Sequence, residues 1–240
     1  MKILALDTST RFLCVGVYRD QQPAGEYRMD LGRKHSAFLL PALQRILDCL
    51  RLKLKDFDYF AVGVGPGSFT GIRIGVSVIK GFAFSLNKPL LGISSLDILA
   101  CRAQDAPYLN SGCAGKKINI CPVIDAKRGL VFSSLYRLGA AGLKREMAYK
   151  LISIADLLSK VPAGSVFLGD GLSIYKREIA ARIKNAVFLD EEYWYPRPGG
   201  IIALARRRIN AKLLDTPDSL RPIYLYPKEC QIKNTKAAGG

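Results

Sequence analysis

Histidine is nearly absent. His35 stands alone in 240 residues, which excludes any chemistry that needs two histidines from one chain. The six cysteines, at 14, 49, 101, 113, 121 and 230, form no CxxC pair and no zinc spacing. Most lie in apolar runs such as ILDCL and NICPV, and they read as reduced, buried thiols. No uninterrupted apolar run reaches the roughly 18 residues of a membrane helix. Asp7 cuts the first apolar run too short for a signal peptide. A cytoplasmic chain without membrane contact is expected. Acidic residues are scarce too: 20 against 36 basic ones, for a net charge of +16. Such a field attracts polyanions, although the same surplus, if dispersed, is also what a plain solvated surface carries. No basic motif interleaved with aromatics is present, so specific base reading has no support. Arg206, Arg207 and Arg208 form the densest basic run, a weak candidate for nucleic-acid contact.

Beyond these gaps, the chain is rich in short apolar stretches with turn-length spacers. ILALD (3–7), FLCVGVY (12–18) and AGEYRMDL (24–31) read as strands. A helix follows over 34–50, a strand over 59–65, a helix over 68–86, a strand over 89–93 and a helix over SLDILACRA. The stretch 106–117 breaks the periodicity with Pro, Gly and Asn and marks a lobe boundary. The same order then returns. A shift of 118 places Asp7 on Asp125 and Tyr18 on Tyr136. A third strand is expected at LKREMAYKL (143–151), then helix ISIADLLSK, strand 165–171 and a helix from Leu172. The fold class is therefore α/β: two lobes, each a βββαβα unit with a mixed sheet, on the actin/hexokinase/Hsp70-like plan. The lobes are expected over 1–105 and 106–240, with a last helix near 199–213 that returns to the first lobe.

The segment GVGPGSFTGIRIG (63–75) holds five glycines in thirteen positions. Such density means that backbone must approach something closely. A phosphate is one possibility, but the Walker spacing is absent and Gly65, Gly67 and Gly71 give GxGxxxG rather than GxGxxG. Ser68 or Thr70 serves equally as a helix cap. Packing is the other. On a helical wheel Gly71, Gly75, Ser77, Gly81 and Ser85 share an arc of roughly 160°, with Ile74, Val78 and Phe82 interleaved. An interior glycine costs about 1 kcal/mol against alanine, so close packing must supply the return. In the preceding helix, Phe38, Leu39, Leu40, Ala42, Leu43, Ile46, Leu47 and Leu50 sweep about 200°, more than one core contact needs. Either a partner subunit covers the excess or neighbouring elements of the same chain do. The expected partner face is His35, Phe38, Leu39, Leu43 and Ile46 on the first helix, with Gly71, Ile74, Gly75, Val78, Gly81 and Phe82 on the second. Asp7, Thr8 and Ser9 are weak candidates for gripping a nucleotide. Alternatively, Asp7 and Asp125 simply satisfy turn N–H groups.

ALDTST, GRKHSAFLLPAL, VGVGPGSFTGIRIGVSVIKG, KPLLGISSLD, IDAKRG and GDG together resemble the TsaB (YeaZ) family over residues 1 to about 175. YPRPGG and RPIYLYP match its ending more loosely. The resemblance implies a subunit without catalytic residues, metal or cofactor, and without activity of its own. It implies a TsaD-like catalytic partner docked on the two N-terminal helices, a TsaE-like ATPase and tRNA bound through the complex. That complex transfers threonylcarbamoyl from threonylcarbamoyl-adenylate to the tRNA adenosine beside the anticodon. A homodimer through the same helices is expected in isolation. Where TsaD carries the two metal-binding histidines of HxxxH, registering the chains on GPG and Pro89 places Ser95 and Leu99. Leucine binds no metal and neutral serine is a poor transition-metal ligand. An ATP-dependent kinase or ATPase of the same architecture is the alternative reading.

Overall fold

A computed structural model describes residues 1–32, 34–107, 109 and 117–226. The stretch expected as the lobe boundary lies largely outside them, as do Cys113 and Cys230. Strands β1 (Lys2–Asp7), β2 (Phe12–Arg19) and β3 (Gln22–Asp30) form a meander. Helix α1 (His35–Leu50), β4 (Tyr59–Gly63), α2 (Phe69–Ser85), β5 (Leu90–Ile93) and α3 (Ser95–Ala103) follow. The sheet order is β3-β2-β1-β4-β5. β1 is antiparallel to β2 and parallel to β4, which needs the helical crossover that α1 provides. α1 continues through Pro41 without interruption.

The second sheet repeats this plan. β6 (Ile118–Asp125), β7 (Leu130–Ser133), β10 (Lys150–Ser153), β11 (Val166–Leu168) and β12 (Val187–Phe188) run in the order β10-β7-β6-β11-β12. Again the central strand is antiparallel to its hairpin partner and parallel to the strand after the crossover. The fold is the two-lobed actin/hexokinase-like architecture. One element differs from expectation. LKREMAYKL is not one strand but the end of β9 (Gly142–Arg145) and the start of β10. β9 pairs with β8 (Tyr136–Gly139) in an extra hairpin on β6. The break follows from hydrogen bonding: the N–H groups of Glu146 and Met147 both donate to the Leu135 carbonyl, turning the chain between the two ladders. Helices α4 (Ile154–Leu158), α5 (Leu172–Arg182) and α6 (Pro198–Asn210) lie in the second half.

Apolar clusters show which helix covers which face. α1 and α2 cover one face of the first sheet through Leu39, Leu43, Leu47, Ile72, Val76 and Ile79. α6 covers the opposite face, where Ile201, Ile202 and Ala205 meet Ile3, Ala5, Tyr18 and Ala61. α3 packs on the second sheet through Leu96, Leu99 and Ala103. Asp97 on α3 ties the two lobes: its carboxylate oxygens accept from Tyr136 Oη and Tyr149 Oη, each at 2.7 Å. The chain then returns as a strap. Asp215 bridges to Leu90, Leu220 enters the first core, and the Ile223 N–H donates to the Val64 carbonyl. Leu225 and Tyr226 end against the second core.

Candidate partner-docking surface

Four of the five glycines of 63–75 approach a turn of their own chain, the β1–β2 connection at Asp7, Thr8 and Ser9, while Gly65 faces Ile72 and the Ile223 carbonyl. A Cβ on Gly63 would stand 1.8 Å from Asp7 Oδ2, and one on Gly67 would stand 2.4 Å from the Ser9 carbonyl. One on Gly71 would stand 2.0 Å from the Thr8 carbonyl, and one on Gly75 would be 2.4 Å from Thr8 Oγ1. Every one of these distances lies inside van der Waals contact, so only glycine lets the turn and the helix close. The Ser68 N–H donates to the Ser9 carbonyl at 2.7 Å, and Ser68 Oγ caps the helix by accepting from the Gly71 N–H. Gly71 and Gly75 therefore face inward, which corrects their expected place on the partner face. Gly81, two turns further on, has open space around it.

The turn itself is sealed. Asp7, Thr8 and Ser9 are all at most 2% exposed. Asp7 Oδ1 accepts from the Ser9 N–H at 2.9 Å and from Ser9 Oγ at 2.8 Å, and Ser95 Oγ donates to Ser9 Oγ at 3.0 Å. Asp7 Oδ2 has no hydrogen-bond partner among the described residues. Burial pushes the Asp7 carboxyl up to about 6, against the smaller opposing effect of the Ser9 donors. In the second lobe Asp125 Oδ1 likewise accepts from a turn N–H, that of Lys127, at 2.9 Å. Both aspartates thus satisfy local turns, and the residues considered for gripping a nucleotide are covered by the chain itself. Ser95 and Leu99 are fully buried, the first bonded to Ser9 and the second packed in the second core. Among the described residues no group of three or more His, Cys, Asp or Glu is placed to hold a metal ion.

His35 is also internal. Its Nε2 lies 2.7 Å from the Thr10 carbonyl, joining the start of α1 to the same turn. Leu39, Leu43 and Ile46 are buried in the core under α1. These four residues cannot form the outward face assigned to them, because their side chains are spent on the lobe's own interior. The outward face lies elsewhere on the same two helices. Phe38 and Leu40 are 43% and 54% exposed on α1, and Phe84 on α2 is 79% exposed. On α2, Ile74, Val78 and Phe82 are half-buried, and Gly81 has open space around it among the described residues. A groove of about 730 Å³ lies between the second half of α1, the segment after it and Phe82 of α2, with Leu40, Gln44, Asp48, Arg51 and Lys53 in its lining. Leu40 and Phe84 were available to a helical-wheel reading. Without knowing which side of each helix meets the sheet, that reading could not separate covered from bare.

At the start of α2 an aromatic clamp borders the face. The Arg73 guanidinium lies 3.7 Å from the Phe69 ring centroid, and its Nε donates to Tyr224 Oη at 2.9 Å. The basic run on α6 separates by role. Arg208 donates to the Gly92 carbonyl at 2.6 Å and pairs with Asp215, so it fastens the strap rather than facing a polyanion. Arg206 lies over the Tyr18 ring at 4.6 Å, and Arg207 is exposed. Of the described cysteines, Cys14, Cys101 and Cys121 are buried, whereas Cys49 is exposed on α1, contrary to expectation.

Residues 29–226 match a family model described as TsaD: tRNA N6-adenosine threonylcarbamoyltransferase. The chain is 30% identical over 237 residues to a tRNA threonylcarbamoyladenosine biosynthesis protein TsaB from Bacillus subtilis (strain 168), covering 97% of each chain. The chain belongs to the TsaB (YeaZ) family. A second TsaB, from Escherichia coli (strain K12), is 32% identical over 229 residues, covering 94% of each chain. A solved structure of YeaZ from Pseudomonas aeruginosa superposes with a TM-score of 0.78 at 25% identity, covering 93% of this chain and all of that one. TsaB family membership and the match to the TsaD model fit the two-lobed architecture. No helix among the described residues is long and apolar enough to cross a membrane.

Proposed function

We propose that this chain is the non-catalytic, docking subunit of the complex that transfers threonylcarbamoyl from threonylcarbamoyl-adenylate to the tRNA adenosine beside the anticodon. The observation that carries this reading is the bare α1–α2 face. Leu40 and Phe84 are more than half exposed on helices whose inner sides are fully packed. Exposed apolar patches of this kind mark interaction sites. The partner is a TsaD-like subunit, with a TsaE-like ATPase and tRNA joining the assembly. The burial of Ser95 and Leu99 supports the division of labour, since neither position has a free donor atom facing a substrate. The sealed Asp7–Ser9 turn weighs against a self-sufficient kinase or ATPase, which needs that hairpin open to phosphate. The test is reconstitution: threonylcarbamoyl transfer to tRNA, measured with each subunit alone and with both. Transfer only with the pair is expected, and nucleotide turnover by this chain alone would favour the kinase reading.

A further inference from the structure

The second lobe carries a cavity of about 490 Å³ beside α5, lined by Leu172, Ser173, Ile174, Lys176, Arg177 and Trp194. Ser173, Lys176 and Arg177 share one side of α5, because residues three and four apart are neighbours on a helix. Trp194 is the one tryptophan of the chain. Its Nε1–H donates to the Leu189 carbonyl at 2.8 Å, and its ring packs against two apolar clusters while staying partly exposed. Ile174 is 57% exposed. Lys176 and Arg177 are exposed, and neither forms an ion pair among the described residues. Lys176 Nζ lies 5.3 Å from the Phe188 ring centroid. No carboxylate lines the cavity. Glu178 is taken by Arg182 at 3.5 Å, and Glu191 and Glu192 lie within electrostatic reach of Tyr195 and Tyr193 instead. The N–H groups of Leu172, Ser173, Ile174 and Tyr175 all donate to the carbonyls of Gly169, Asp170 and Gly171. A ligand here therefore meets a fixed ring, apolar walls and two free cations, with no backbone donor from the start of α5.

Resting on the tRNA-complex reading above for the source of its ligand, we propose that this cavity takes one nucleotide of a single-stranded RNA segment. The base lies against Trp194 and Ile174, and its phosphate lies on Arg177 and Lys176. A nucleotide joins a flat apolar face to a fixed negative charge, which is the combination that the lining answers. Stacking on an aromatic ring accepts any base, because every base has a π-face. It also requires an unpaired strand, since a base inside a duplex is already stacked on its neighbours. The Arg177 guanidinium fits phosphate oxygens as a fork, and Lys176 adds a point charge. An acidic peptide would meet the cations and leave the ring unused, whereas a purely apolar partner would cover the cations without pairing them. The surplus of +16 draws a polyanion toward the chain as a whole. The site belongs to the second lobe and uses nothing from α1 or α2.

Because Trp194 is the one tryptophan, its selectively excited fluorescence reports on this cavity alone. The full chain is titrated with a single-stranded RNA of about eight nucleotides, a usual footprint for such sites. AMP at equal nucleotide concentration and a polyglutamate peptide at equal charge are titrated beside it. Quenching by the RNA is expected, at least about tenfold tighter than by AMP, with none by the peptide. Lys176→Ala with Arg177→Ala should leave thermal unfolding unchanged and weaken RNA binding about tenfold. It should also reduce the slope of log affinity against log salt by about 1.4, for two phosphate contacts on a single strand. Trp194→Phe, followed by the anisotropy of labelled RNA, should weaken binding severalfold and keep the salt slope. RNA bound without quenching, or quenching that survives the double substitution, would overturn the proposal. So would equal quenching by AMP, which identifies a free nucleotide, or by the peptide, which identifies an acidic protein. Reconstituted threonylcarbamoyl transfer separates this failure from that of the subunit reading. Transfer that needs this chain, while RNA leaves Trp194 fluorescence unchanged, overturns the cavity assignment alone. Quenching by RNA of a chain that transfer does not need overturns the subunit reading alone.

Discussion

Thr8 Oγ1 donates to the Gly71 carbonyl at 2.7 Å, across 63 residues of sequence. The bond takes a carbonyl in the first turn of α2 and fixes it to the β1–β2 turn, so a helix and a hairpin share one backbone contact. Substituting Gly71 by Ala puts a methyl against the Thr8 carbonyl oxygen, which is backbone and cannot swing away. A loss of about 3 kcal/mol is expected, at the upper end of overpacking effects, with Gly75→Ala somewhat milder because a side-chain hydroxyl is the obstacle. Gly81→Ala meets nothing and should stabilise the helix by about 0.5–1 kcal/mol. Urea unfolding of the three variants checks this order, and equal midpoints for Gly71→Ala and wild type would refute it.

Asp7 gives stability a pH dependence of definite sign. Its carboxyl is raised to about 6 in the fold from an ordinary value of 3.8. The folded state therefore holds the proton more tightly than the unfolded chain does. Stability from this group is greatest below the unfolded value and falls as pH climbs from about 4 to about 6, by roughly 3 kcal/mol in all. Asp7→Asn keeps an acceptor for Ser9 and removes the buried charge. It should melt at a higher temperature than wild type at pH 7.5 and lose the advantage at pH 4.5. Melting curves at the two pH values decide it.

The repeat of the two sheets was legible because β1 and β6 both end in Asp before a tight turn, and because apolar runs of strand length flank them. The glycine stretch was legible as a place of close approach, but not its counterpart. Nothing local in Asp7-Thr8-Ser9 announces that it lies against residues 63 to 75. That pairing is set by the parallel register of β1 on β4, which aligns Leu6 with Val62. For the same reason His35, Leu39, Leu43 and Ile46 look outward on a wheel and are inside. A wheel gives the width of an apolar arc, whereas the sheet decides which half of it is covered. The break between β9 and β10 is hidden in the sequence because LKREMAYKL has no proline or glycine to mark it; it is made instead by two N–H groups sharing the Leu135 carbonyl.

Tyr136 and Tyr149 hold Asp97 from the second lobe. Tyr136→Phe leaves one carboxylate oxygen without its buried donor and should cost about 1.5–3 kcal/mol. Tyr149→Phe, nearer solvent, should cost less. If the two hydroxyls act as one clamp, the double variant is destabilised by less than the sum of the two single effects. Chemical unfolding of all three variants provides the cycle, and strict additivity would show that the two hydroxyls act independently.

Arg208 and its neighbours should separate in solution. Arg208→Ala removes the donor to Gly92 and the ion pair with Asp215, so it should lower stability by about 1–3 kcal/mol. It should leave the salt dependence of tRNA binding by the assembled complex unchanged. Glutamate at 206 and 207 should do the reverse, reducing that slope by up to about one unit for each phosphate that is no longer neutralised. Filter binding across a salt series, beside thermal melts, distinguishes the two classes.

The placement of α6 has a consequence for how the chain comes to fold. One side of the first sheet is closed in large part by α6, through Ile201, Ile202 and Ala205, with Ile98 of α3 beside them. During synthesis Ile3, Ala5 and Tyr18 emerge early, and the α6 part of their cover emerges only after the second sheet has been made. At about 5–20 residues per second, a bare strip of nascent sheet persists on the order of ten seconds. The earliest-made half of this protein is therefore finished by the last helix among the described residues.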